Sequence, residues 1–474
     1  MPRLTSRLVP CVILVSLAAC AARTAPLPTA PPTRGAVLGE IDPPASQSLA
    51  DLWDAVRRPL PAAPLVTHEI VSAELRRLVA EAPDRFALEE FGRSVEGRPL
   101  WHASVGRGPM RVLLWSQMHG DEPSATPALI DLLETIRRYP ESPRVARLTE
   151  KLTLDVVPML NPDGAVRYQR RNAQAIDINR DALRLQTPEG LALKALRDRL
   201  SPALGFNLHN QNWRTSVGRP PKPATISLLA VAFDEARTES PGRILAKRVS
   251  AVVRDAVEPL APGQIGRYDD EFEERAFGDN VTRWGTPVVL IESGAWSGEH
   301  PDESLTRINY VALVSALDAI ASGRVDAAPV SRYESLPENE DRLFHTLIVN
   351  ATVVPGTGVA PFLADVGVVA QRVVRVLDGE RRLGLAARVD DIGDLRVYGA
   401  LKVIDATGLV LAPLTEPAPK PGDTVRVDDR AVLSSRIGIG APAAFLLLRP
   451  GRASGTYTVE RVVAIGDPTQ TPPQ

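Results

Sequence analysis

Six histidines are spread over the 474 residues: His68, His102, His119, His209, His300 and His345. Two have an acid three positions on, in His119-Gly120-Asp121-Glu122 and His300-Pro301-Asp302-Glu303. Composition alone gives about one such pair by chance, so context has to separate them. His119 follows the apolar run Val112-Leu113-Leu114-Trp115, which reads as a buried strand. In α/β sheets ligands bind at the carboxyl ends of strands, so this pair is the candidate for chemistry. The His300 pair opens a helical pattern and reads as a helix start. His209 is the other histidine at a strand end, after Ala203–Leu208. Alone it reads as a structural histidine; with His119 and Glu122 it completes a His₂Glu set, the donors of an open hydrolytic metal site. Glu292 ends another apolar strand, Pro287–Ile291, where a carboxylate is costly to bury unless it has a partner or a task. It is the candidate general base, the plainer reading being a salt bridge to an arginine.

The elements that must position these residues alternate along the chain. Strands are expected over 111–117, 152–159, 203–208, 225–233 and 287–291, and helices over 71–82, 126–139, 189–200, 244–257 and 305–320. The pattern predicts an α/β domain over 65–322, a mixed, mostly parallel sheet flanked by helices. A polar linker is expected over 323–342. Short β-branched runs follow, at 347–354, 368–377, 384–389, 400–403, 409–411, 424–427, 444–448 and 456–463, and predict a small all-β domain over 343–474.

Composition narrows the function classes. The formal charge of −2 implies no basic face, and nucleic acid is not an expected partner. The two cysteines, Cys11 and Cys20, lie in the first twenty residues, so a disulfide framework, a cysteine zinc site and a catalytic cysteine are excluded further on. The first twenty residues read as an export signal, with Arg3 and Arg7 before an apolar run ending Leu17-Ala18-Ala19-Cys20. That ending resembles a bacterial lipobox, which implies lipidation at Cys20. Ala21 then implies the periplasmic face of the outer membrane, within the cell envelope. Residues 21–64, dense in proline and alanine, read as a tether, although Leu49–Val56 could pack on the domain.

Taken together, the motifs resemble the zinc metallocarboxypeptidases of the carboxypeptidase A-like family. The resemblance runs through Gly92-Arg93-Ser94-Val95-Glu96-Gly97-Arg98-Pro99-Leu100, His119-x-x-Glu122, Asn161-Pro162-Asp163-Gly164, Asp177-Ile178-Asn179-Arg180, His209 and Glu292, in order over about 70–322. It implies one zinc ion on His119, Glu122 and His209, with Asp177 accepting the other N–H of His119. It implies that Arg171 polarises the scissile carbonyl, that Asn179 and Arg180 hold a terminal carboxylate, and, more loosely, that Tyr268 meets the substrate. Asn207 departs from the aspartate of many relatives. Phe277 falls near the pocket but favours no charge class. The C-terminal segment Ile348–Gly358 with Ala364–Val368 resembles the β-sandwich of amidohydrolases, without the His-x-His of their metal site. The reading is a peptidase that cuts near a free C-terminus of a peptide substrate. The alternatives are a zinc deacylase or amidase acting on acyl amino acids or peptidoglycan stem peptides, and a degenerate binding module.

Overall fold

The structure, a computed structural model, describes residues 49–354, 360–414, 417–426 and 437–466. The export signal, Cys20 and the first part of the proline-rich segment lie outside the described residues. From Ser46 on, the described residues belong to one compact unit. Among them, no helix is long and apolar enough to cross a membrane.

The strands of the first region are β1 (Phe86–Arg93), β2 (Pro99–Gly106), β3 (Met110–Ser116), β4 (Leu152–Val157), β5 (Leu204–Asn210), β6 (Ser216–Val217), β7 (Lys222–Pro223), β8 (Ile226–Ala230), β9 (Ile265–Arg267) and β10 (Val288–Ser293). Its helices are α1 (Leu49–Val56), α2 (His68–Glu81), α3 (Ala125–Arg138), α4 (Pro143–Lys151), α5 (Pro162–Arg167), α6 (Pro188–Leu200), α7 (Pro241–Val257), α8 (Phe277–Arg283), α9 (Pro301–Ala321) and α10 (Val330–Glu334). Eight strands form one sheet in the order β1-β2-β4-β3-β5-β10-β8-β9, and β6 and β7 pair apart from it. The central pairs β4/β3, β3/β5 and β5/β10 are parallel, as is β8/β9, and the remaining three are antiparallel. This is the expected mixed, mostly parallel sheet. Strand β3 shows why its sequence is apolar throughout. Val112 and Leu114 face a core shared with α2, α3, α7 and α9, while Leu113 and Trp115 face a second core with α6 and α8. A strand buried on both faces cannot alternate.

Three details differ from the sequence reading. Gly92–Leu100, which the resemblance implies is the family's entry strand, is not one strand: β1 ends at Arg93, and residues 94–98 turn into β2. The buried carboxylate of Asp163 pins that turn, accepting from Ser94 Oγ (2.8 Å), Glu96 N (2.9 Å) and Arg98 Nη1 (2.6 Å). The linker 323–342 is ordered against the domain: it carries α10, buries Tyr333 and Leu336, and bridges to strand residues through Glu338 and Glu340. The tether does not extend to residue 64 either, since α1 packs Ala50, Trp53 and Val56 into the main core, and Trp53 Nε1 donates to Asp131 Oδ2 at 2.8 Å.

The remaining strands are β11 (Leu343–Val353), β12 (Phe362–Leu377), β13 (Glu380–Gly393), β14 (Gly399–Asp405), β15 (Val410–Pro413), β16 (Thr424–Arg426), β17 (Ala444–Pro450) and β18 (Thr456–Ala464). Pairing joins all eight in one sheet, β13-β12-β11-β15-β17-β18-β16, with β14 also on β11. An isolated bridge between Arg388 and Pro442 returns β13 to the segment that enters β17, so the sheet curls toward closure around Val366, Val389, Phe445 and Leu447. Two separate facing sheets, as a sandwich requires, are not what the pairing shows.

If α1 belongs to the core, Trp53→Ala removes a 3%-exposed indole and its hydrogen bond. The expected loss is about 3–5 kcal/mol, the usual cost of emptying a buried aromatic site. A shifted urea midpoint checks it; an unchanged midpoint returns α1 to the tether.

Candidate metal centre and its cleft

The sheet order puts β3, β5 and β10 side by side at its middle. In the parallel register of β5 and β10, His209 lies directly opposite Glu292. On the other side, β3 ends at Ser116, paired with Leu208. Gln117 then takes a left-handed conformation (φ 52°) that turns the chain into the His119 loop. That loop lies against α5 so closely that a Cβ on Gly120 would come within 2.0 Å of the Gly164 carbonyl carbon. Only glycine fits there.

Three donor side chains converge at this point. His119 Nδ1 is 2.7 Å from Glu122 Oε1, His209 Nδ1 is 2.6 Å from Glu122 Oε2, and the two Nδ1 atoms are 3.2 Å apart. All three residues are buried, and their ligand atoms lie within 4.8 Å of one another. Two imidazole nitrogens aimed at each other and at one carboxylate satisfy one another poorly by hydrogen bonds alone. The 3.2 Å separation is close to the edge of about 3.3 Å made by two ligands ~2.0 Å from a tetrahedral ion. The donor set therefore fits zinc. On its other ring nitrogen, His119 Nε2 is 3.0 Å from Asp177 Oδ1, which orients the ring.

Charge is distributed unevenly across the cluster. At His119 burial, which lowers the pKa, is outweighed by Glu122 and Asp177, and the ring is pushed up to about 9. At His209 burial dominates and lowers it. Glu122 is held well below the usual carboxylate range: burial opposes this, but both histidines overcome it. Glu292 moves the other way, well upward, first through burial and then through the nearby Glu122. Its Oε2 is buried without a hydrogen-bond partner, unlike a carboxylate in a structural salt bridge.

Of the arginine pair, it is Arg170 that the fold brings to the centre. Its Nη1 is 3.2 Å from Glu122 Oε1 and 3.1 Å from His119 Nδ1, and its Nε is 2.9 Å from Asp177 Oδ2. Arg171 instead reaches outward to the Ala175 carbonyl at 3.1 Å and lies outside the cleft. The sequence reading took Arg171 as the arginine at the centre; the structure places Arg170 beside the donor cluster and Arg171 outside the cleft. Tyr168, left-handed at the C-terminus of α5 (φ 52°), turns the chain just before the two arginines. Adjacent arginines in a loop carry no periodic signal that could have shown this.

The cluster opens into a cleft of about 1040 Å³ whose lining includes Asn179, Arg180, Tyr268 and Glu292. Asn179 Oδ1 accepts from Phe277 N at 2.8 Å, and Arg180 Nε is 3.2 Å from Glu273 Oε2, so Arg180 is not free before a ligand arrives. The phenol of Tyr268 is raised, by Glu292 first and burial second. Phe277 is fully buried at the start of α8 and packs edge-on against Trp284, with no surface toward the cleft. Asn207 does line the cleft; its Oδ1 is buried and has no partner. The second histidine–acid pair is structural: His300 precedes α9, and Glu303, in its first turn, pairs with Arg57 Nη1 at 2.6 Å.

Residues 71–219 match the zinc carboxypeptidase family. That span holds His119, Glu122, Arg170, Asp177, Asn179, Arg180 and His209, and stops before Tyr268 and Glu292. Carboxypeptidase SOL1 of Arabidopsis thaliana is 29% identical over 138 residues, 27% of this chain and 28% of that one. A probable carboxypeptidase 2 of Trichophyton verrucosum is 33% identical over 190 residues, 39% of this chain and 32% of that one. The chain thus spans about a third or less of the length of these curated relatives. Among solved structures, a metallo-carboxypeptidase of Burkholderia cenocepacia is 18% identical with a TM-score of 0.43, covering 54% of this chain and 69% of that one.

The proton on His119 makes a prediction about the metal. A protonated imidazole cannot be a ligand, so zinc must displace that proton. Binding at pH 7 should release about one proton, and affinity should fall about tenfold per pH unit below pH 9. Calorimetry in two buffers of different ionisation enthalpy reads the proton directly. Zinc uptake without proton release means a different ligand set.

Proposed function

We propose that this chain, whose residues 71–219 match the zinc carboxypeptidase family, hydrolyses the peptide bond next to a free C-terminus. The observation that carries the reading is the placement of Glu292. It is buried, unpartnered and abreast of His209, while Asn179 and Arg180 line the same cleft. Zinc, when bound, supplies a polarised carbonyl and a more acidic water. The residues do the rest. Glu292, with its raised pKa and empty Oε2, takes the proton from the attacking water and returns it to the leaving amine. Arg170, fixed by Asp177, presents positive charge to the carbonyl oxygen as negative charge develops there. Asn179 and Arg180 hold the terminal carboxylate, which displaces Glu273 from the guanidinium. Asp177 keeps the His119 ring in place. The export signal and lipid anchor rest on the N-terminal sequence alone.

The cleft also favours a class of C-terminal residue. Outside the metal set and Arg170, Arg180 and Arg275, every charged side chain lining it is an acid, including Glu235, Asp269, Glu271, Glu273 and Asp279. Leu229, Val231 and Leu290 add apolar wall, and the orphaned Asn207 Oδ1 needs a donor. Apolar walls with acceptors suit a long aliphatic stem ending in N–H groups, as in lysine or arginine.

Three variants test the roles of these residues. Glu292→Gln should keep stoichiometric zinc and lose about 10²–10⁴ in kcat; Arg170→Ala should lose about 10²–10³. Arg171→Ala should stay within about threefold, as an exposed side chain does. Wild-type turnover in the Glu292 variant would move the base elsewhere.

A peptide-library digest read by mass should show lysine or arginine termini released at least ~10-fold faster than aspartate or glutamate, about 1.4 kcal/mol of discrimination. C-terminal amidation should slow cleavage by ~10–100-fold, because Arg180 then loses its incoming carboxylate. Equal cutting of amidated and free peptides would put the amidase reading first.

A further inference from the structure

The curled β-domain touches the catalytic region at a point that bears on the centre. Helix α5 lies between the metal loop and the Arg170 loop. At its start, the Asn161 side chain accepts from Gly164 N (2.9 Å) and donates to the carbonyls of Met118 and Arg170, each at 3.3 Å. One amide thus ties the residue before His119 to the backbone of Arg170. Along its length, α5 meets Gly120 with no room for a Cβ. At its end, Tyr168 turns left-handed, and Arg170 follows two residues on.

The two ends of α5 are held by different parts of the chain. Asp163, near its start, is fixed by the 94–98 turn of the catalytic region. Its last carbonyls are held from the β-domain. Arg381, at the start of β13 and paired with Val376 of β12, donates through Nη1 to Val166 O and through Nη2 to Ala165 O (3.1 Å) and Pro64 O (3.2 Å). A guanidinium on the last carbonyls of a helix gives them a charged donor, here beside the Tyr168 N–H that Ala165 O already accepts, and opposes the negative end of the dipole. The same hairpin is anchored beside it: Arg372 of β12 pairs with the half-buried Asp302 at the start of α9 and lies over the Trp213 ring at 5.2 Å. Neither arginine lines the cleft.

We propose that Arg381 is a positioning residue for Arg170: the β12–β13 hairpin fixes the C-terminal end of α5, and through it the point from which the Arg170 guanidinium enters the cleft. The β-domain is then a working part of the peptidase reading, on which this inference rests. Displacement of a catalytic group by about 1 Å costs on the order of 10² in rate.

The test uses full-length, zinc-loaded protein. Arg381→Ala should lower kcat on a free-acid peptide by about 10–100-fold with zinc stoichiometry unchanged, and Arg381→Lys should recover part of it. In an Arg170→Ala background, Arg381→Ala should cost less than about threefold more, because the group it positions is already gone. Amide exchange of the peptide spanning 164–172 should quicken in Arg381→Ala, and less in Arg381→Lys, while the β3 segment 110–116 stays unchanged. A full additional loss in the Arg170→Ala background, or unaltered exchange over 164–172, would overturn the proposal. A wild type that cuts no peptide sinks the peptidase reading instead, and the exchange experiment still decides whether Arg381 holds the loop.

Discussion

His119 sits between two carboxylates, Glu122 on one ring nitrogen and Asp177 on the other, and all three side chains are largely buried, with His119 and Glu122 lining the cleft. Neither acid could be buried there alone without a large desolvation cost. Asp177 is compensated by His119 and by Arg170, which also reaches Glu122. Glu122 is compensated by both histidines. At Glu292 burial and the nearby Glu122 outweigh the pull of His119 and Arg170, and its pKa rises as a result. The same electrostatic arrangement thus sets ligand geometry, the direction of Arg170 and the basicity of Glu292. Changing one of these groups shifts the others, and double variants at this centre will not be additive.

Strand register and the clamping of one short helix bring these groups together. Three adjacent parallel strands deliver His209 and Glu292 in register and release the His119 loop beside them. The loop stays there because α5 lies against Gly120, and α5 is gripped at one end by the 94–98 turn and at the other by the β-domain.

Much of this was legible in the sequence, for a definite reason. The central strands are buried on both faces and therefore read as short apolar runs. The long helices carry regular apolar spacing, so strands β3, β4, β5, β8 and β10 and helices α2, α3, α6, α7 and α9 fall within a few residues of expectation. What stayed hidden depends on contacts distant in sequence. Helix α1 is short and surrounded by prolines, so only its docking of Trp53 on Asp131 marks it as core. The inward turn of Arg170 rather than Arg171 shows only in its contacts with Asp177 and Glu122, seven and forty-eight residues away. The strands of the β-domain were readable one by one, but its curl depends on a bridge between Arg388 and Pro442, more than fifty residues apart. Most acids of the cleft, such as Glu235, Asp269, Glu271 and Glu273, come from loops whose charges look like ordinary solvated surface until folding gathers them.

The spacing of the ligands has a consequence for how the chain matures. His119 and Glu122 are neighbours in sequence, but His209 arrives ninety residues later, on a strand that pairs between two others. An unfolded chain therefore offers a cation only two weak donors at a time, and the third appears when β3 and β5 are already zipped in parallel. Pairing of that kind is slow, because a long loop must close before any contact rewards it. Zinc then acts as a late inspector of folding: it discriminates strongly between the finished sheet and every earlier state, and its mass action favours only the finished one.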